Sequence, residues 1–162
     1  MFLNKDLRTG RLSSRISPTN FYVLLARAAS PEQADRMIRE HLTNPNELWG
    51  EWVLPSAPRN DPAFKDQNYW RGRVWGPMNY LVYLGLRNYD QPQVRAALAQ
   101  KSMALFENEW KANHHVHENY NAVNGSGDDV ASSDRFYHWG ALLALIQYEE
   151  PNDTAADQKQ RK

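Results

Sequence analysis

The sequence contains no cysteine. That absence removes disulfide frameworks, thiolate nucleophiles and cysteine-ligated zinc together. Net charge is missing as well, since 19 Lys and Arg are matched by 19 Asp and Glu. With neither a basic footprint nor an acidic tail, nucleic acid and membrane surfaces are not expected partners. No apolar run approaches the ~18 residues of a membrane span, and the opening stretch, MFLNKDLRTGRLSSRIS, has no apolar core ahead of a cleavage site. The chain reads as soluble. Segments with a period of two are also lacking, which leaves an all-α fold.

What is present fits one domain of 162 residues with a real core. Ser17-Pro18 is a cap and a first-turn proline ahead of Phe21, Leu24, Leu25 and Ala28, which share one helix face. Ser30, Pro31 and Gln33 repeat the signal ahead of Ala34, Met37, Ile38 and Leu42, and so short a link predicts an antiparallel helix pair. A third helix is expected from Gly76-Pro77 through Leu86, and a fourth from Gln91-Pro92 to about Trp110. A fifth is expected from a cap at Ser133 or Asp134, with Phe136, Trp139, Leu143 and Ile146 in register. From residue 150 to 162 the chain is polar and expected to be disordered, leaving 1–149 as the folded unit.

Two connections, Thr43 to about Trp75 and Ala112 to Ser133, far exceed the usual ~4 to 6 residues. The first is full of Trp, Tyr and Phe, and helical hairpins set side by side would bring both loops to one end. Six tryptophans, most in polar surroundings, then suggest a mouth that stacks on its ligand. Sugars suit such a surface: a pyranose face lies on an aromatic ring while its hydroxyls need fixed donors and acceptors. Trp52, Tyr69, Trp70, Arg71, Trp75, Asn119 and Tyr120 supply that mixture; packing of the loops onto the helix ends is the plainer alternative.

Glycoside hydrolysis takes two carboxyl groups. Glu118, flanked by His117 and Asn119, is the better candidate in the second loop, because Asp128 and Asp129 follow a Gly-Ser-Gly turn. His114, His115, His117 and Glu118 also offer metal ligands, but not at helical His-Glu-x-x-His spacing, so no metal and no cofactor are called for. Ser126 has no triad motif around it. His138, beside Trp139, belongs either to the mouth or to the core.

SPTNFYVLLA, YWRGRVWGPMNYLVYLGL, HENYN with GSG after it, and SDRFYHWGALLAL resemble, in order, the C-terminal part of glycoside hydrolase family 63 catalytic domains. The bacterial branch similar to mannosylglycerate and glucosylglycerate hydrolases is nearest, and the resemblance covers about Asn4 to Glu149. It implies an (α/α)6 barrel of helical hairpins, here incomplete, and inverting hydrolysis of α-glucosides or α-mannosides. It implies that Glu118 is the general base, that Tyr69, Trp70, Arg71, Trp75 and Asn79 shape the sugar subsite, and, on a weaker motif, that Trp52 and Arg59 contribute.

The family's general acid, an aspartate, lies upstream of the matched region, and neither Asp61 nor Asp66 matches its motif. The chain is therefore expected to act as a fragment that is inactive alone, needs the N-terminal part of the barrel, and self-associates. Any export signal would lie in that part, so the compartment stays open with the cytoplasm favoured. A non-catalytic carbohydrate-binding or interaction module on the same scaffold is the alternative.

Overall fold

The computed structural model describes residues 1–150. The tail expected to lack order lies outside them, apart from Glu150, which is buried and pairs with Arg95 at 2.7 Å. A 3-10 turn, Pro18–Phe21, leads into α1 (Tyr22–Leu25); α2 (Pro31–Met37) continues as a π-helical turn, Ile38–Leu42. Next come α3 (Gly76–Leu86), α4 (Pro92–Asn113) and, after the 3-10 turn His138–Ala141, α5 (Leu142–Glu149). Among the described residues there are isolated β-bridges but no strand.

A capping box explains the start of α2. Ser30 Oγ accepts the Gln33 N–H at 3.2 Å while Gln33 Oε1 accepts the Ser30 N–H at 2.9 Å, so two otherwise orphaned donors are satisfied. All four core positions expected on α2 and its continuation, Ala34, Met37, Ile38 and Leu42, are buried. The expected antiparallel pairing is replaced by another: α1 packs mainly on α3. A helix of four residues offers too little face for a hairpin, and Gly85 of α3 admits it. A Cβ at position 85 would lie 3.0 Å from the Leu25 nitrogen.

The last helix begins later than its sequence suggests. Ser133 does not cap it, because its hydroxyl donates to the Asn119 carbonyl at 2.7 Å. Residues 134–136 instead bond to the second long loop, with the Glu118 N–H on the Asp134 carbonyl (2.9 Å) and the Phe136 N–H on that of Val116 (2.7 Å). Phe136 is left 75% exposed, far from the core register expected of it.

Helix α3 is central, in contact with α1, α4 and α5. Tyr80 donates to Glu149 at 2.8 Å and Arg87 reaches the same carboxylate at 3.1 Å, fastening α3 to α5. One apolar cluster gathers Phe21, Leu24, Met37, Leu42, Leu54, Val82, Leu86, Leu98 and Ile146. A smaller one, Val74, Leu105, Tyr120, Ala122 and Leu143, lies under the long loops.

Candidate functional site

Both long loops meet before the first turn of α3. Val74 and Tyr120 exchange backbone hydrogen bonds at 2.7 and 2.9 Å, and the Ser56 N–H donates to the Arg73 carbonyl at 2.9 Å. A further bridge pairs His117 with Arg135. Four extended pieces from distant parts of the chain thus lie edge to edge.

Side chains then lock the pieces. Arg73 is fully buried; it pairs with Asp129 at 2.9 Å, donates to the Asn119 side-chain oxygen, and reaches the Gln67 and Ser126 carbonyls at 3.2 Å each. Burial holds its guanidinium below the ordinary arginine range, and the Asp129 carboxylate partly offsets this. Gln67 Oε1 accepts the Ala122 N–H at 2.7 Å. Arg59 spans the loops from another side, donating to the Trp52 carbonyl at 2.8 Å and to that of Ala122 at 3.4 Å. Neither Arg73 nor Gln67 stood among the sequence candidates, whereas Arg71 did. The Arg71 side chain is 58% exposed and bound to Asp66 at 2.5 Å.

The aromatic residues form one continuous group. Trp75 is fully buried, and Trp70 lies flat on it with ring centroids 3.6 Å apart and planes 13° apart. Tyr69 stands edge-on to both, and its carbonyl accepts the Trp75 indole N–H at 3.1 Å. Tyr69 and Trp70 remain 42% and 46% exposed. Trp139 extends the group at 6.2 Å from Trp75, followed by Tyr137 and exposed His138, whose rings stack at 5.3 Å. Such a surface, half buried for rigidity and half open, can receive the flat face of a sugar ring.

The neighbour of Glu118, Asn119, is linked through Ser132 to the segment that carries Tyr69. The Asn119 amide donates to the Ser132 carbonyl at 2.9 Å, and Ser132 Oγ donates to the Asn68 side-chain oxygen at 2.5 Å, next to Tyr69. The Glu118 side chain is largely buried, forms no ion pair among the described residues, and takes one long hydrogen bond, 3.5 Å, from Asn119, which leaves its other oxygen within reach of solvent. Burial pushes its proton affinity up, with the Asp134 carboxylate adding to the effect. A carboxylate so kept holds a proton more tightly than one in water and has lone pairs free for a water molecule.

Other sequence candidates are committed to structure. Asn79 is buried, with its amide spent on the Leu54 N–H (2.6 Å) and the Trp75 carbonyl (2.9 Å). Tyr120 is buried too; its hydroxyl accepts the His117 N–H at 3.1 Å and burial pushes its pKa up to about 12. Trp52 packs on the smaller apolar cluster. His117 is buried against Glu109, 3.1 Å away on α4.

Residues 1–140 match the model of the mannosylglycerate hydrolase MGH1-like glycoside hydrolase domain. The chain is 32% identical over 122 residues to a mannosylglycerate hydrolase of Thermus thermophilus, an alignment covering 74% of this chain and 26% of that protein. It is 29% identical over 120 residues to the mannosyl-oligosaccharide glucosidase of Saccharomyces cerevisiae, covering 65% and 14% respectively. Among solved structures, a GH63 mannosylglycerate hydrolase from Thermus thermophilus in complex with glucose superposes with a TM-score of 0.73 at 28% identity. That match covers 91% of this chain and 35% of the other. The chain thus spans about a quarter of the length of the first of these relatives.

Proposed function

Because the chain belongs to the mannosylglycerate hydrolase MGH1-like glycoside hydrolase domain family, within GH63, and shares part of its (α/α)6 helical fold, we propose that it serves the inverting hydrolysis of α-glycosidic bonds. The bond is that of an α-glucoside or α-mannoside. Glu118 is the general base in this reading, taking a proton from the attacking water. The single observation that carries it is the state of that carboxylate: on a largely buried side chain, without a cationic partner among the described residues, and with proton affinity raised by desolvation. Tyr69 and Trp70 offer the open rings on which the sugar rests, and Trp75 and Trp139 back them.

An inverting site sets its second carboxyl group ~6.5 to 9.5 Å from the base, with the water between. Asp61 does not suit the acid role, since it accepts the Ala63 N–H at 2.8 Å at the start of the 3-10 turn Pro62–Asp66. Asp66 is held by Arg71. The acid is assigned to the part of the barrel that residues 1–162 do not represent, and this segment alone supplies a base and half a pocket. The purified chain is expected to bind sugar weakly and to turn over aryl α-glucosides and α-mannosides little or not at all. In a form completed by the rest of a GH63 barrel, Glu118→Gln should cost about 10²- to 10⁴-fold in kcat. Full activity of that variant would end the assignment, and turnover by the 162-residue chain itself would place an acid within it.

A further inference from the structure

His117 is fully buried, and its Nδ1 lies 3.3 Å from the Ser133 carbonyl oxygen. A carbonyl only accepts, so the ring proton belongs on Nδ1 and Nε2 presents a lone pair. That nitrogen stands 3.0 Å from His115 Nε2 and 3.1 Å from Glu109 Oε1. Three ligand atoms thus converge, all within 4.8 Å of one another. One proton placed at Nε2 satisfies this gathering incompletely; a cation between the three atoms engages every lone pair at once.

We propose that Glu109, His115 and His117 form a binding site for a divalent transition metal of the zinc class. Two imidazoles and one carboxylate are the donors such ions take, with the fourth position left to water, whereas Mg²⁺ and Ca²⁺ require oxygen-rich sites. Outer partners already orient the ligands: the Ser133 carbonyl on His117, the Gly127 N–H on Glu109 Oε2 at 2.9 Å, and the Asn113 amide on Glu109 Oε1 at 2.6 Å. Half-buried His115 gives the ion a way in. The set differs from the one weighed on sequence. Glu118 is not a member, and Glu109 enters because α4 ends in a left-handed residue, His114 at φ 56, which brings the following histidines back alongside the last turns. A bound ion would tie the end of α4 to the segment that carries Glu118.

Calorimetric titration of the tag-free chain with Zn²⁺ tests the site. One Zn²⁺ per chain and a higher melting temperature are expected, while Mg²⁺ and Ca²⁺ leave the melt unchanged. His115→Ala removes the accessible ligand and spares the buried pair, and it should weaken Zn²⁺ binding by about 100-fold, since even outer partners cost 10- to 100-fold. Co²⁺ gives a second readout on the unaltered chain: a strong visible band of tetrahedral coordination. No Zn²⁺ uptake, no such band, or equal affinity in His115→Ala overturns the proposal and leaves Glu109 and His117 as a buried hydrogen-bonded pair.

Discussion

An ionised glutamate at position 118 costs the fold stability, and that cost can be measured. Its folded pKa is raised above the ordinary 4.5, first by burial and then by the charge of Asp134. The sign follows directly. Below the unfolded value both states carry the proton, so the group costs nothing; as pH rises through the folded value the native state must ionise a buried acid, and stability falls. Glu118→Gln keeps the shape without the charge. Its melting temperature should equal that of the parent near pH 3 and exceed it at pH 7, a modest gain visible by calorimetry. A parent that melts higher than the variant at neutral pH would mean that the carboxylate is satisfied after all.

At the scale of elements, the arginine pair in YWRGRVW separates into two roles. Arg73 joins the first long loop to Asn119, Ser126 and Asp129 of the second, so Arg73→Met strands two carbonyls and the Asn119 side-chain oxygen and should cost about 2–3 kcal/mol, although Asp129 itself stays in reach of solvent and of Asn121. Arg71→Ala breaks an open pair with Asp66 and should cost less than about 1 kcal/mol. Urea unfolding of the two variants compares them, and equal losses would contradict the division.

Sequence alone could not make that distinction. Two residues apart, the arginines would share a face of an extended segment, but Gly72 at φ 100 turns the chain between them. The helix starts at Pro18, Pro31, Gly76 and Pro92 were legible because a first-turn proline and apolar spacing agree there, with a serine ahead of the first two. The start of α5 was not, since Ser133 has cap chemistry but spends it on Asn119. Likewise the ring cluster around Tyr69, Trp70 and Trp75 was readable as a group, while Asn79, polar and next to it, is consumed by the backbone of Leu54 and Trp75. Composition marks which residues could meet a ligand; only long-range pairing decides which of them stay exposed.

At the scale of the molecule, the segment has its own apolar clusters yet leaves Leu25, Trp110 and Tyr148 of three helices at 38%, 47% and 86% exposure. In a full GH63 barrel, neighbouring hairpins are the natural cover for such faces. Purified alone, the chain is expected to self-associate, the more so because a formal charge of zero gives copies no reason to repel. Sedimentation velocity would show species heavier than 18.8 kDa; a single monomeric boundary across a tenfold concentration range would count against it.

The guanidinium of Arg73 has one further implication. Since it grips residues of both long loops, neither loop can swing away while the other stays put. A proteolytic nick in the turn around Gly125 should therefore loosen the distant YWRG segment as well.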